Sequence, residues 1–254
     1  MVTRAKLIGW GPRVLYLGPA FGLTPHRNAT AVLAVALDDT VEVAGDPADP
    51  DGRYRSARSV LIPPNTLHHL RIAGGRMAFL YVDPLSRDLV ALKDRMQDVT
   101  PRAAFDLVGE AAIIEVLAGV ADGHLSDGDG RKALTELLGT GTRADPDKRI
   151  LATLRRMREQ PHRSHSMAEL GECAGLSASR FLHLFKAETG VPLRRYRLWN
   201  RMGAAVAAFR DGSSLTEAAH AAGFASSAHF STAFRDMFGM MPSELLKGLA
   251  PSIR

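Results

Sequence analysis

An α+β fold is predicted by three observations: short apolar runs broken by Gly, Pro and Asp in the first 85 residues, helical periodicity after them, and a helix-glycine-helix pattern repeated near the end. The expected order is a small N-terminal β-barrel over residues 1–85, middle helices over 86–140, and an all-α domain over 146–249. That last domain holds two helix-turn-helix units joined by a long helix. At 254 residues and 46% hydrophobic content the chain is able to bury a sizeable core.

In the N-terminal segment, residues 13–17, 29–37, 40–43, 59–62 and 77–82 read as strands. The stretch 45–52 (GDPADPDG) consists of turn formers and reads as an exposed hairpin connection. From 85 to 138 the periodicity is helical, with Leu89, Leu92 and Met96 in one stretch and Ile113, Ile114, Leu117 and Val120 in another. This apolar face suits either a second subunit, giving a homodimer, or the chain's own barrel. Residues 139–145 (GTGTRAD) read as a flexible linker.

Composition narrows the function classes. The run 29–37 is too short to span a bilayer, and the first 23 residues lack a basic start followed by an apolar signal core. A cytoplasmic protein with no membrane partner is expected. Cys173 stands alone, so neither an internal disulfide nor a thiolate metal cluster is available; it is expected to be a small core residue. Residues 1–144 carry 16 Lys and Arg against 17 Asp and Glu, whereas 145–254 carry 16 against 10. A basic C-terminal half beside a near-neutral one is the charge footprint of one domain that meets phosphate.

The repeat is the most informative feature. In its first copy, 167–174 (MAELGECA) gives a short helix, Gly175-Leu176-Ser177 a turn, and 178–189 (ASRFLHLFKAET) a second helix. In the second, 215–222 (LTEAAHAA), Gly223-Phe224-Ala225 and 226–238 (SSAHFSTAFRDMF) follow the same plan. Glycine permits the positive φ that reverses the chain within about three residues. Ser177 and Ser226 are placed to cap the second helices, whose free N–H groups and partial positive charge suit phosphate. Phe181, Leu184 and Phe185, and likewise Phe230, Ala233 and Phe234, are expected to point inward, leaving the opposite face free for a major groove. Residues 193–210 form the joining helix, with Tyr196, Trp199, Met202, Val206 and Phe209 inward. Its 18 residues would span roughly 27 Å, enough with its flanking units to hold two recognition helices about one DNA turn apart.

With these residues in place, the region from about 148 to 249 resembles the DNA-binding domain of AraC/XylS-type regulators. The resemblance rests on 168–190 (AELGECAGLSASRFLHLFKAETG), 192–205 (PLRRYRLWNRMGAA) and 219–245 (AHAAGFASSAHFSTAFRDMFGMMPSEL). It implies a sequence-specific transcription regulator that binds double-stranded DNA and, if an activator, meets RNA polymerase. Carried over by position, the base readers would be Ser179, Leu182 and His183 in the first recognition helix and Ser227, Ala228, Ser231 and Thr232 in the second. Family members often place Arg or Gln where Leu182, His183 and Thr232 stand. Short side chains instead favour thymine-methyl contacts, water bridges and shape readout, so modest base discrimination is expected of the second helix. Arg180, Lys186, Arg194, Arg195, Arg197, Ser226 and Arg235 are candidates for the DNA backbone, about half of the cations being expected to touch phosphate.

The β-rich start is similar to the cupin-like sensor that precedes such domains, on the strength of Pro25-His26 and the stretch 62–69 (IPPNTLHH). Metal cupins carry a His-x-His pair and a carboxylate; here Asn28 stands where the second His would be, so no metal and no other cofactor is expected. A small effector inside the barrel would be lined by His26, Leu33, Val35, Val60, His69, Phe79 and Tyr81. No catalytic residues are assigned. The competing reading, a cupin-type enzyme fused to a DNA-binding domain, lacks its ligand motif, and alkyl-acceptor repair chemistry would require an activated thiolate that Cys173 does not offer.

Overall fold

Alternation along the first hundred residues produces sheets with two different buried faces. The computed structural model describes residues 5–49, 52–139, 146–160, 163 and 165–249, and the linker expected at 139–145 lies almost wholly outside them. Strands β1 (Lys6–Trp10), β2 (Arg13–Pro19), β3 (His26–Arg27), β4 (Ala31–Ala36), β5 (Val41–Ala44), β6 (Tyr54–Ala57), β7 (Ser59–Ile62), β8 (Leu67–His68), β9 (Leu70–Ile72) and β10 (Arg76–Val82) come first. They are followed by α1 (Arg87–Asp94), β11 (Met96–Val99), β12 (Ala104–Leu107), α2 (Glu110–Asp122) and α3 (Asp127–Leu138). The main sheet has seven antiparallel strands in the order β1-β2-β10-β4-β7-β12-β11, and β3-β8 and β6-β5-β9 form two smaller sheets. The α+β class is as expected, the small barrel taking the form of these three sheets.

On one face of the main sheet Leu15, Leu17, Leu33, Val35, Leu61, Leu80 and Val82 pack against Leu89, Leu92, Ile113, Ile114, Leu117, Leu134 and Leu138 of the three helices. The apolar stripe of α2 is therefore used within the chain, on its own sheet. On the other face Tyr16, Val32, Met77, Phe79 and Tyr81 are buried beneath the smaller sheets. A buried ion pair ties the helical layer to the strands: Arg13 donates to Asp88 at 2.7 Å and to Thr135 Oγ1 at 3.1 Å, and the Ser86 hydroxyl donates to the same carboxylate.

The β region does not end at residue 85, and Met96 opens a strand rather than closing a helix. Helix α1 stops at Asp94, and β11 pairs with β12, which joins the main sheet through Ala104↔Leu61 and Phe105↔Val60. Strand β11 reads MQDV with three exposed positions, so no alternation marks it; its pairing comes from its neighbour. Strands β1, β3, β6, β8 and β9 were likewise not among the expected ones.

The helical region comprises α4 (Lys148–Glu159), α5 (Met167–Cys173), α6 (Ala178–Thr189), α7 (Leu193–Arg210), α8 (Leu215–Ala221), α9 (Ser227–Phe238) and α10 (Pro242–Gly248). Described residues divide into two compact units: one runs up to 139 and takes in 235–249, the other is 146–234. The last turn of α9 and all of α10 thus cluster with the sheets, whereas an all-helical unit to 249 was expected. Ala5 N–H donates to Gly248 O at 2.8 Å and pairs with Leu249 as a β-bridge. In the helical unit Ile150, Leu154, Met157, Leu170, Phe181, Phe185, Tyr196 and Met202 are buried. Trp199, Val206 and Phe209 of α7, expected inward, are only half-buried. Among the described residues no helix is long and apolar enough to cross a membrane.

Candidate nucleic-acid interface

Two segments with little shared sequence reach the same local geometry because the same chemistry recurs at each step. Helix α5 starts at Ser166, whose hydroxyl accepts from Glu169 N–H while the Glu169 carboxylate accepts from Ser166 N–H; Ser214 and Glu217 repeat this capping box for α8. These bonds hold both carboxyls below the usual carboxylate range, Ser166 N–H being the largest cause for Glu169 and the Ser214 side chain for Glu217. The boxes, 48 residues apart like the turn glycines, were legible as S-x-x-E but were not read from the sequence.

Each turn then closes in the same way. Gly175 and Gly223 sit at φ +63° and +82°, the region glycine tolerates, and Leu176 N–H donates to Gly171 O as Phe224 N–H does to Ala219 O. A Cβ at Gly171 would meet Leu176 O at 2.7 Å, so the first turn approaches its helix too closely for a side chain. The second recognition element follows, Ser177 accepting from Arg180 N–H at 3.4 Å and Ser226 from His229 N–H at 3.1 Å, both as expected. Phe181 and Phe185 in α6, and Phe230, Ala233 and Phe234 in α9, are buried, while Leu184 is half-buried.

The opposite faces carry the expected readers. Ser179, Leu182 and His183 are exposed on α6, Leu182 at 38% being one of the chain's large exposed apolar side chains. On α9, Ala228 and Thr232 are exposed and Ser227 and Ser231 half-exposed. His229, not singled out from sequence, shares this surface and stands edge-on to Phe224 at 5.5 Å. Of the backbone candidates, Arg180, Lys186, Arg194 and Arg235 are exposed and Arg195 and Ser226 half-exposed. Arg197 is turned inward: its guanidinium donates to the His165 carbonyl, and burial lowers its pKa, with Arg201 adding to the effect. Cys173 is exposed, not a core residue, because the α5 face that packs inward is set by Leu170, Gly171 and Ala174.

The C-terminal ends of the two recognition helices differ. Helix α6 is closed by its own Thr189, which donates to Phe185 O at 2.7 Å and accepts from Val191 N–H at 3.2 Å. Helix α9 has Phe238 at that position and is closed by the segment 24–28: Asn28 Nδ2 donates to Met237 O at 2.7 Å, and Thr24 donates to Gly239 O through N–H at 2.8 Å and Oγ1 at 3.0 Å. Phe238 lies edge-on to Tyr81 at 5.7 Å.

This assigns the histidines of the sheet unit. His26 and His68 are cross-strand partners with rings 4.2 Å apart, each sharing Nδ1 with the carbonyl two residues before it. His69 engages both nitrogens, Nδ1 with Tyr54 Oη and Nε2 with Leu23 O. Asn28 holds a helix end. The expected effector lining is split between two faces: Leu33 and Val35 pack under the helices, whereas His26, Phe79 and Tyr81 line a nearly filled space with Leu23, Phe238 and Met240. A one-residue shift along a strand reverses its face, which is how a lining set chosen from sequence mixes the two.

Residues 170–248 match the model of a family described as a helix-turn-helix domain. A probable transcriptional regulator, LumQ of Photobacterium leiognathi, is 37% identical over 79 residues, 31% of this chain, and the match spans about a third (32%) of that relative's length. Across the whole fold the chain is similar to ToxT of Vibrio cholerae O395, with a TM-score of 0.61 at 13% identity over 94% of this chain and 98% of that one. It is similar too to ToxT of strain SCE256 with an unsaturated fatty acid bound, at 0.57 and 12% over 95% and 97%. The C-terminal segment of this chain is a helix-turn-helix domain of the AraC/XylS type, carried on a chain with the fold of ToxT.

Proposed function

We propose that the protein is a transcription regulator that binds specific double-stranded DNA through α6 and α9 and answers to a small ligand held by its sheet unit. The observation that carries this reading is the duplicated geometry: two recognition helices, each with a serine cap, a positive-φ glycine turn, an aromatic inner face and an exposed outer one. The basic balance of residues 145–254 supports it, since cations at a phosphate surface release counterions and give strong, salt-dependent binding. Ser179, Leu182 and His183 read one half of the site; Ser227, Ala228, Ser231 and Thr232 read the other. Arg180, Lys186, Arg194, Arg195, Ser226 and Arg235 meet the backbone. The helix-turn-helix match and the regulator relative favour a non-enzymatic role. Ligand control is proposed because one solved structure of the ToxT fold holds an unsaturated fatty acid and another holds a naphthalenyl butenoic acid.

Selection of binding sites from random duplex DNA with the purified chain, at near-physiological salt, tests this. An enriched motif of two blocks about one helical turn apart is expected. A folded protein that enriches nothing, both as the full chain and as residues 146–254 alone, would overturn the reading.

A further inference from the structure

Buried polar atoms without a hydrogen bond are rare, and in the helical unit they gather in one corner. Among the described residues His165 Nδ1, His165 Nε2 and Asn200 Nδ2 have no partner. Both residues line a small space between the end of α4 and α7, together with Gln160, Arg163, Arg197 and Arg201. The space is about 10 Å³, room for one oxygen-sized atom. His165 is 2% exposed, and since both edges of its ring are unmet, whichever edge faces the space is unmet. Such a group calls for a bound partner.

The lining is rich in donors and positive. Asn200 Nδ2 and the three guanidiniums only donate, and the Gln160 side-chain oxygen already accepts from Arg163 at 3.4 Å. Arg197 donates to the His165 carbonyl and so positions that residue. Arg163 pairs with Glu169 at 3.0 Å, both side chains being more than a third exposed, a pair of little strength. Arg201, half-buried, forms no hydrogen bond or ion pair among the described residues. Burial lowers the His165 pKa, and Arg163, Arg156 and Arg197 add to the effect against Glu169. Cations thus crowd this corner, and Glu169 is the carboxylate that opposes them among the described residues. A water would meet single donors and leave the excess charge. An oxyanion accepts from every donor and neutralises the cations, and guanidinium forks match its geometry.

We propose that this corner is a phosphate-binding site: one oxygen enters the space and accepts from Asn200 Nδ2 and a His165 ring N–H, while the others lie at its mouth against Arg163 and Arg201. A DNA phosphate and a free phosphate ion share this chemistry, and only the first source rests on the DNA-binding reading. In that case the joining helix α7 holds the DNA backbone at a point supplied by neither recognition helix.

Histidine-ring nitrogen NMR on the full chain tests this, with inorganic phosphate as the probe and sodium chloride at equal ionic strength as the control. The ring signal missing from His165→Gln should shift saturably with phosphate and not with chloride. Arg201→Gln and Asn200→Ala should each weaken that response roughly fivefold or more, whereas Arg155→Gln, on the exposed face of α4, should leave it unchanged. Should His165→Gln not fold, the criterion is a ring signal that answers to phosphate and loses the answer in Arg201→Gln. No phosphate-specific shift, one that survives in Arg201→Gln, or one weakened equally by Arg155→Gln would overturn the proposal. Affinity for the selected duplex separates the sources: a matching fall in Arg201→Gln assigns the phosphate to the DNA backbone, and an unchanged affinity assigns it to the free ion. A protein that binds the duplex but shows no phosphate shift refutes the site alone; one that binds phosphate but no duplex refutes the DNA reading alone.

Discussion

The two helix-turn-helix units share a local code and differ in what surrounds them. Capping box, glycine turn, serine cap and inward phenylalanines recur at matching positions, yet α6 is closed by its own Thr189 and α9 by Thr24 and Asn28, some two hundred residues away. Short-range chemistry sets the shape of each unit, while long-range packing sets how each helix ends. The end of α6 is closed from within its own helix, whereas the end of α9 is closed by residues far from it in sequence.

The largest expected break in this symmetry is at the terminal glycines. Gly190 and Gly239 both adopt positive φ, +70° and +75°, but a Cβ at Gly190 meets nothing within 4 Å, whereas one at Gly239 would meet His26 Nδ1 at 2.5 Å and Thr24 O at 2.7 Å. Gly190→Ala should cost only the left-handed backbone penalty, about 1 kcal/mol. Gly239→Ala adds displacement of the 24–28 segment and should cost about 3 kcal/mol in urea unfolding. Equal losses would show that the closing contacts carry no weight.

A smaller effect concerns acid. His68 is held neutral when folded, its pKa lowered to about 3 by burial, then by His26, against an ordinary value of 6.5. The unfolded chain therefore binds the extra proton, and stability present above pH 6.5 falls as the pH drops below it, by about 1.4 kcal/mol at pH 5.5 from this group. His68→Gln should flatten that slope between pH 6.5 and 4.5; an unchanged slope would assign the acid sensitivity elsewhere. The smallest effect is also the most symmetric: Ser166→Ala and Ser214→Ala should each cost about 1 kcal/mol, within error of one another. A large inequality would mean that the two boxes are not equivalent.

What was legible in the sequence followed the same division. The repeat, its glycines, the caps at Ser177 and Ser226 and the inward phenylalanines are i to i+4 relations, and they could be read directly. Strand β11 could not, because its exposed MQDV carries no pattern and exists through pairing with β12. Nor could the faces of Leu33 and Val35, where a single step reverses the direction, or the exposure of Cys173 on a two-turn helix with little periodicity. The role of Asn28 lay furthest from view: nothing near it in sequence indicates that it closes a helix ending at Phe238.

The central claim, that both units read DNA, is tested most directly by footprinting the selected duplex with single-unit variants. His183→Ala in α6 should weaken protection of one block and leave the other, and Thr232→Ala in α9 should do the converse, as the proposed use of one major groove per helix requires. Loss of both blocks together in either variant, or loss of neither, would contradict it.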